Sequence, residues 1–467
     1  MTEGRADLVV HNARIAVGGR ESVVTIAVSD GKIVAIADPA TMLFGATTTV
    51  NAEGRWVLPG AIDTHTHLGQ TAPEYEDREG FDMASSFEWD TRSALAGGVT
   101  TALNYVRFGQ GSLMDVYRTE WAIAAANSRV DILFHGYVMN QEQLHEIRPG
   151  VAEGLRTFKL FMPYRGQEAK DLGGIGSLNH AELRLAFREI GAAGAQALVH
   201  AEDGDIVEHC TAAARMAGDS LADWEASRPT VAEGDATFSA LYLAGTEGCP
   251  VTIVHVSSIE GVRARRALGR GSAALESCPH YLLLSTDSGI GPHGKVAPPL
   301  RRPADVRPLL DAVIAGEIDF FGSDHNTWPA EAKRDMWSGR AGLPGIGLLL
   351  PLLATELVAN QGLGVDRLAR LVSTNAAQRF GLYPAKGTLQ VGSDADLVVL
   401  EEGSRIVTAQ DLASPVDYSP YEGMTLRYWP RITVRGGAVV YAEGQFPNDH
   451  LRGDILNHRE LRPAARQ

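Results

Sequence analysis

Cysteine is scarce. The 467 residues hold three, Cys210, Cys249 and Cys278, with no C-x-x-C pair among them. That count excludes a disulfide framework and fits a reducing compartment. Basic residues are outnumbered, 42 Lys and Arg against 57 Asp and Glu, a formal net charge of −15 with the acids scattered along the chain. A phosphate-backbone binder needs a basic face, so nucleic acid is not an expected partner. Long apolar runs are missing too. The most apolar stretch, LPGIGLLLPLLA near 343–354, is broken by proline and glycine and falls short of the roughly 18 apolar residues of a membrane span. The first residues, MTEGRADLVVHNARI, carry acids and no apolar signal core, so neither a secretory leader nor a membrane partner is expected and the location expected is cytoplasmic. What is present is ordinary for a globular protein: 45% hydrophobic and 21% charged residues, in a length that admits one large barrel with an appendage.

Residues 5–57 read as short strands, with valine and isoleucine runs punctuated by Asp-Gly and Glu-Gly turns, and the same pattern returns in GSDADLVVLE and PRITVRGGAVVYAEGQF near the far end. Two all-β segments flanking a long middle predict a small β-sandwich built from both termini, residues 1–57 and 386–467, with a polar tail after Asp449 that wraps the surface or a neighbour. Between them, over 58–385, short apolar runs alternate with Ala- and Leu-rich stretches of helical period. The runs are GAIDTHTH, TTALNYV, DILFHGYV, TFKLFMPY, QALVHAE, PVTIVHVSS, AALESCPHYL and DFFGSDH. Eight such βα units are the number that closes a (β/α)8 TIM barrel, so the predicted fold class is α/β.

In such a barrel the active site lies where the strands end at the C-terminal face. The first strand ends in His65-Thr66-His67, the fourth holds Lys159, the fifth ends at His200, the sixth at His255 and the last at Asp324. Residues i and i+2 of a strand share a face, so His65 and His67 enter one site. Four histidines at strand ends are costly to bury without a task, and nitrogen and oxygen donors suit a divalent metal. A lysine inside an apolar strand loses its proton readily; the neutral amine of Lys159 can then take up CO2 as a carbamate, an anionic ligand able to bridge two ions. Lys159 can equally snorkel to the rim or pair with a carboxylate. Asp324 reads as a metal ligand and proton carrier, or as a helix cap. His280 can touch substrate, support a ligand or be structural, and Tyr164 can act as an oxyanion donor or as rim packing. The glycine-rich LAGGVTT and KDLGGIGSLNH lack the spacing of a nucleotide fold, and no nucleophile elbow is present.

Taken in order, GAIDTHTH, FKLFMPY, LVHAED, IVHVSS, CPHYL, KVAPPLR, FFGSDH, GSDADLVVL and the late VDYSPYEGM resemble the cyclic amidohydrolases: D-hydantoinase and dihydropyrimidinase, allantoinase and dihydroorotase. The resemblance covers nearly the whole chain. It implies a cytoplasmic hydrolase that opens a ring C–N bond of a cyclic amide or ureide, with two divalent ions, zinc, at the barrel mouth. Carried over by motif, His65, His67 and Asp324 hold the more buried ion, His200 and His255 the more exposed one, and carboxylated Lys159 bridges them. A hydroxide between the metals would attack the ring carbonyl and Asp324 would shuttle the proton. Tyr164 takes the place of a tyrosine that binds the carbonyl oxygen, and His280, Ala297 and Asn326 fall among the substrate-binding positions. The family forms homotetramers or dimers.

Subfamily signals are divided. Tyr164 in FMPY favours hydantoinase, whereas CPHYL and KVAPPLR lean toward allantoinase. Ala297 stands where hydantoinases commonly have serine, and RAGLPGIG lacks their Asn-Gly-Gly-Pro. Dihydroorotase needs an arginine for the substrate carboxylate, and Arg78 follows only a cluster of acids. The stretch after the first histidine pair, residues 69–89, is long and is expected to reshape the pocket. Hydantoin or dihydropyrimidine substrates lead; allantoin or another cyclic imide or lactam is the alternative. Non-catalytic dihydropyrimidinase-like scaffold proteins lack several ligands, whereas all six positions are filled here. Deaminases use one metal and no bridging lysine.

Overall fold

The computed structural model of the chain describes residues 5–40, 45–70, 75, 77, 78, 80–107, 109, 111–171, 176–271 and 273–458. Three groups of strands follow one another. The first is β1 (Ala6–Val17), β2 (Arg20–Ser29), β3 (Lys32–Ala37), β4 (Ala46–Asn51) and β5 (Trp56–Pro59). The second alternates with helices: β6 (Ala61–Thr66), β7 (Val99–Tyr105), β8 (Asp131–Tyr137), β9 (Thr157–Phe161), β10 (Gln196–His200), β11 (Val251–Ile253), β12 (Ala273–Ser277) and β13 (Phe320–Phe321). The last is β14 (Leu397–Ile406), β15 (Thr425–Arg435) and β16 (Ala438–Ala442).

The first and last groups form one mixed sheet, ordered β16-β15-β14-β5-β1-β2-β3 with β4 beside β1. Its hairpins follow from turn chemistry. Asp30 and Gly31, at φ 50° and 70°, connect β2 to β3, and Gly436 and Gly437, at 53° and 78°, connect β15 to β16; two left-handed residues match the right-handed twist of the flanking strands. The predicted sandwich is this single sheet folded over on itself. Ile26, Val28 and Ile33 from one end pack in one cluster with Val399 and Val434 from the other. Backbone bonds from Ile33 N to Ser393 O (2.9 Å) and from Ala395 N to Gly31 O (2.8 Å) stitch the ends together.

The middle group is the barrel. Its eight strands run parallel in sequence order, and β6, β7, β8 and β9 are buried at every residue, as a parallel sheet covered by helices requires. All eight apolar runs in the sequence became these strands. Closure comes just beyond β13, where Thr66 bridges to His325 and His67 N donates to His325 O at 2.8 Å. The apolar run near 343–354 is buried against the barrel as short helical turns, and among the described residues no helix is long and apolar enough to cross a membrane.

A buried charge cluster joins the two bodies. Lys386 Nζ donates to Asp131 Oδ2 (2.5 Å), at the start of β8, and to Asp396 Oδ2 (2.6 Å), while Arg435 reaches Asp131 Oδ1 (2.9 Å). The tail seats on the barrel: Asp449 pairs with Arg129 (2.7 Å), Ile455 bridges to Ile132, and Asn457 exchanges two hydrogen bonds with the backbone of Phe134. Residues 459–467 lie outside the described part, as do 172–175 of the glycine-rich KDLGGIGSLNH and 71–74, 76 and 79 of the long stretch after the first histidines. Of that stretch, Gly69 N donates to Ser86 Oγ (2.9 Å) and Arg78 pairs with Glu331 (2.9 Å).

Candidate metal centre

The barrel brings the sequence-predicted ligands to one place. His65 and His67, two apart on and just past β6, both turn inward, and each Nε2 lies 3.3 Å from Asp324 Oδ1. The three donor atoms sit within 4.8 Å of one another. His200 is the last residue of β10, and its ring meets that of His255 edge-on with centroids 4.4 Å apart; His255 in turn lies 5.1 Å from His65. Lys159 Nζ is 3.4 Å from His65 Nε2 and 3.5 Å from His255 Nε2. All six side chains therefore share one pocket of the barrel.

Two of them reach it through strained backbone. Strands β11 and β13 stop at Ile253 and Phe321, short of His255 and Asp324. Those two residues take left-handed φ values of 42° and 52°, which turns their side chains back over the barrel end at a steric cost of roughly 1–2 kcal/mol each for an ordinary L-residue. The His255 N–H donates to Glu276 Oε1 at 3.3 Å, which helps hold that turn.

Lys159 is buried among aromatic rings, its Nζ 4.6 Å over Tyr105 and 5.4 Å over Phe161. Only 1% of it is exposed, so it does not snorkel. Among the described residues no carboxylate pairs with it. Burial lowers its pKa to about 7, against the opposing pull of Asp324 and Glu276. A substantial share is then neutral amine near neutral pH, the form that carbamate chemistry needs.

The donor set fits a cation. Glu276 accepts from Thr64 Oγ1 (2.6 Å) and from the His255 N–H, and takes His65 Nδ1 at 2.7 Å. With its proton on Nδ1, His65 turns its Nε2 lone pair toward both the Asp324 carboxylate and Lys159 Nζ. Two acceptors 3.3 Å apart repel unless positive charge lies near both, and a bound cation could join the Lys159 ammonium in supplying it. Burial lowers the pKa of His65, His67, His200 and His255 alike, which favours the neutral imidazoles that bind metals. Burial alone would raise Asp324, but the hydrogen bond and charge of His67 bring it below its usual value.

The remaining candidates fall around this core. Tyr164, three residues past β9, holds its ring 5.5 Å from His200, and burial raises its pKa, so the phenol stays a donor. His280 opens a one-turn helix after β12 and is fully buried, with neither ring nitrogen hydrogen-bonded among the described residues; burial lowers its pKa to about 4, opposed by nearby Asp324. Asn326 donates to Gln70 Oε1 at 3.0 Å and leaves its own Oδ1 unpartnered among the described residues. Ala297 packs on the hydrophobic core next to a cis bond to Pro298, and no contact joins it to the histidines among the described residues.

The sequence reading missed the groups behind the ligands. Glu276 supports His65. Glu202 Oε2 lies 2.7 Å from His200 Nε2 and takes Arg228 Nη1 at 2.6 Å. Burial would raise the Glu202 pKa, but Arg228 first and His200 second bring it down to about 2. Asp63 accepts from Ser323 N (2.9 Å) and His65 N (3.1 Å), fastening β6 to the end of β13. The signal was available: an acid inside an apolar strand (ALES, AIDT), or two residues after a strand-end histidine (HAE), is expensive unless it serves a partner.

Residues 56–440 match the amidohydrolase family. The chain belongs to that family. This amidohydrolase is 34% identical to an L-hydantoinase of Paenarthrobacter aurescens over 97% of its own length and 98% of the relative's. It is also 34% identical to an allantoinase of Rubrobacter xylanophilus, over 94% and 95%. A solved L-hydantoinase (dihydropyrimidinase) from Arthrobacter aurescens superposes with a TM-score of 0.86 at 33% identity, covering 94% of this chain and 97% of that one.

Proposed function

We propose that this amidohydrolase opens the ring C–N bond of a cyclic amide or ureide, of hydantoin or dihydropyrimidine type, at a binuclear zinc centre, as a cytoplasmic homo-oligomer. The observation that carries the reading is the gathering of His65, His67, His200, His255 and Asp324 around the buried Lys159 amine, which among the described residues pairs with no carboxylate. His65, His67 and Asp324 would hold one ion, His200 and His255 the other, and carboxylated Lys159 both. When bound, the ions supply Lewis-acid polarisation of the ring carbonyl and an activated water at neutral pH.

The chain's own groups do the rest. Asp324, ionised and fixed at the end of the last strand, takes a proton on the attacking side and returns it to the ring nitrogen as the C–N bond breaks. Tyr164 donates its phenolic proton to the carbonyl oxygen as charge develops there. His280, neutral, and the side-chain oxygen of Asn326, both without a hydrogen-bond partner among the described residues, offer donor and acceptor to the ring's polar edge. The two relatives, an L-hydantoinase and an allantoinase, leave allantoin or another cyclic imide as the second reading, favoured by CPHYL and KVAPPLR.

The test is ring opening by metal-replete enzyme over hydantoin, 5-substituted hydantoins, dihydrouracil, allantoin, dihydroorotate, succinimide and a simple lactam. The expected result is chelator-sensitive turnover of a hydantoin or of dihydrouracil. Efficient turnover of allantoin alone replaces the first reading with the second, and hydrolysis that survives complete metal removal contradicts both.

A further inference from the structure

A single guanidinium lies behind both the candidate ligand His200 and the candidate carbonyl-polarising Tyr164. Arg228 caps the end of the helix Leu221–Ser227 and is fully buried. Its Nη1 donates to Glu202, the carboxylate that holds His200 Nε2 at 2.7 Å, and its Nη2 pairs with Glu168. Glu168 sits on the short helix Gly166–Asp171, four residues after Tyr164. The guanidinium carbon lies 5.1 Å over the Trp224 ring and 6.0 Å from that of Tyr164. Arg301, itself buried, donates to the Arg228 carbonyl and is anchored on Ser257 (2.9 Å) and Glu233 (3.2 Å). The arginine is thus clamped from behind and forked in front.

We propose that Arg228 is a positioning residue that couples the two halves of the site, fixing the His200 imidazole through Glu202 and the Tyr164 segment through Glu168. The inference rests on the metal-centre reading above. Arginine suits the task because its planar fork meets two carboxylates at once from a fixed position, which a lysine point charge does not. The carboxylate–imidazole contact orients the ring and strengthens it as a ligand. The other arm restrains the residues that aim the phenol, and small displacements of such a donor cost rate. The two carboxylates make the arms separable: Glu202 acts on the ion held by His200 and His255, Glu168 on Tyr164 alone.

The experiment compares the full-length enzyme with Glu202→Gln, Glu168→Gln and Arg228→Met, reading zinc affinity by chelator competition alongside kcat and KM. Glu202→Gln is expected to weaken one of the two ions by ~10–100-fold and leave the other unchanged. Glu168→Gln is expected to keep both ions tight and to lower kcat. Arg228→Met is expected to do both; should it fail to fold, the two shape-preserving glutamine variants carry the test. Equal weakening of both ions, or a Glu168→Gln enzyme with wild-type kcat and KM, overturns the coupling. A wild-type chain that binds no zinc overturns the metal-centre reading itself, a distinct outcome from unchanged affinities in the variants.

Discussion

Asp324 lies against His65 and His67 and Tyr164 against His200, and the two answer to different substitutions. Asp324 touches both His65 and His67. Asn at that position keeps a ligand oxygen but removes the charge and the proton acceptor. Asp324→Asn is therefore expected to retain appreciable zinc while kcat falls by about 10²–10⁴-fold, the usual worth of a positioned acid–base. Tyr164→Phe keeps the ring against His200 and removes only the donor, so kcat/KM is expected to fall by about 10²–10³-fold with the metal content unchanged. Steady-state kinetics with metal analysis separates the two, and an unchanged kcat/KM in Tyr164→Phe ends the oxyanion role. The positions of the six predicted ligands were legible in the sequence because each is a polar residue at the end of, or inside, an apolar run. The left-handed backbone at His255 and Asp324 was not, since nothing in VTIVHVSS or DFFGSDH marks where pairing stops.

Among the elements, the strands were plain and their partnerships were not. A parallel strand buried on both faces writes itself as a continuous apolar run, and all eight did. The terminal hairpins were legible from Asp-Gly and Gly-Gly. The parallel pairing of β1 with β4, and the antiparallel pairing of β5 with β14 across more than 300 residues, leave no local trace, so one folded-over sheet was expected as a sandwich. The helix Leu113–Asn127 carries a feature that propensity also hides. Its Glu120 is buried, accepts the Arg107 N–H just past β7 at 2.7 Å on one oxygen, and leaves the other without a partner among the described residues. Burial raises its pKa to about 8. Between its unfolded value near 4.5 and that figure, the folded chain holds a proton that the unfolded chain has released, so this group's contribution to stability declines as pH rises through the window. Glu120→Gln keeps the acceptor and removes the titration. The variant is expected to equal wild type near pH 4 and to exceed it by on the order of 4 kcal/mol at pH 8. Denaturant midpoints at several pH values check this; a constant difference across the range contradicts the assignment.

At the scale of the whole molecule, the barrel's far end is locked while its mouth carries the chemistry. Lys386, Asp131, Asp396 and Arg435 fasten the terminal sheet to the start of β8, and the C-terminal segment lies along the same strand. Breaking one member of a buried ionic cluster costs about 3–5 kcal/mol, so this end of the molecule is rigid and the site is built on strands that do not shift. The tail was expected from composition to wrap a surface; that it seats on β8 depends on Asn457 and Asp449 finding partners more than 300 residues away. The central claim is that this frame holds two ions joined by Lys159. The most direct measurement is zinc per chain in the wild-type protein and in Lys159→Ala, purified with bicarbonate and loaded with excess zinc. The account predicts two ions in the wild type and loss of both, with activity, in the variant. One ion per wild-type chain, or a variant that keeps two and still turns over without added bicarbonate or acid, would contradict it.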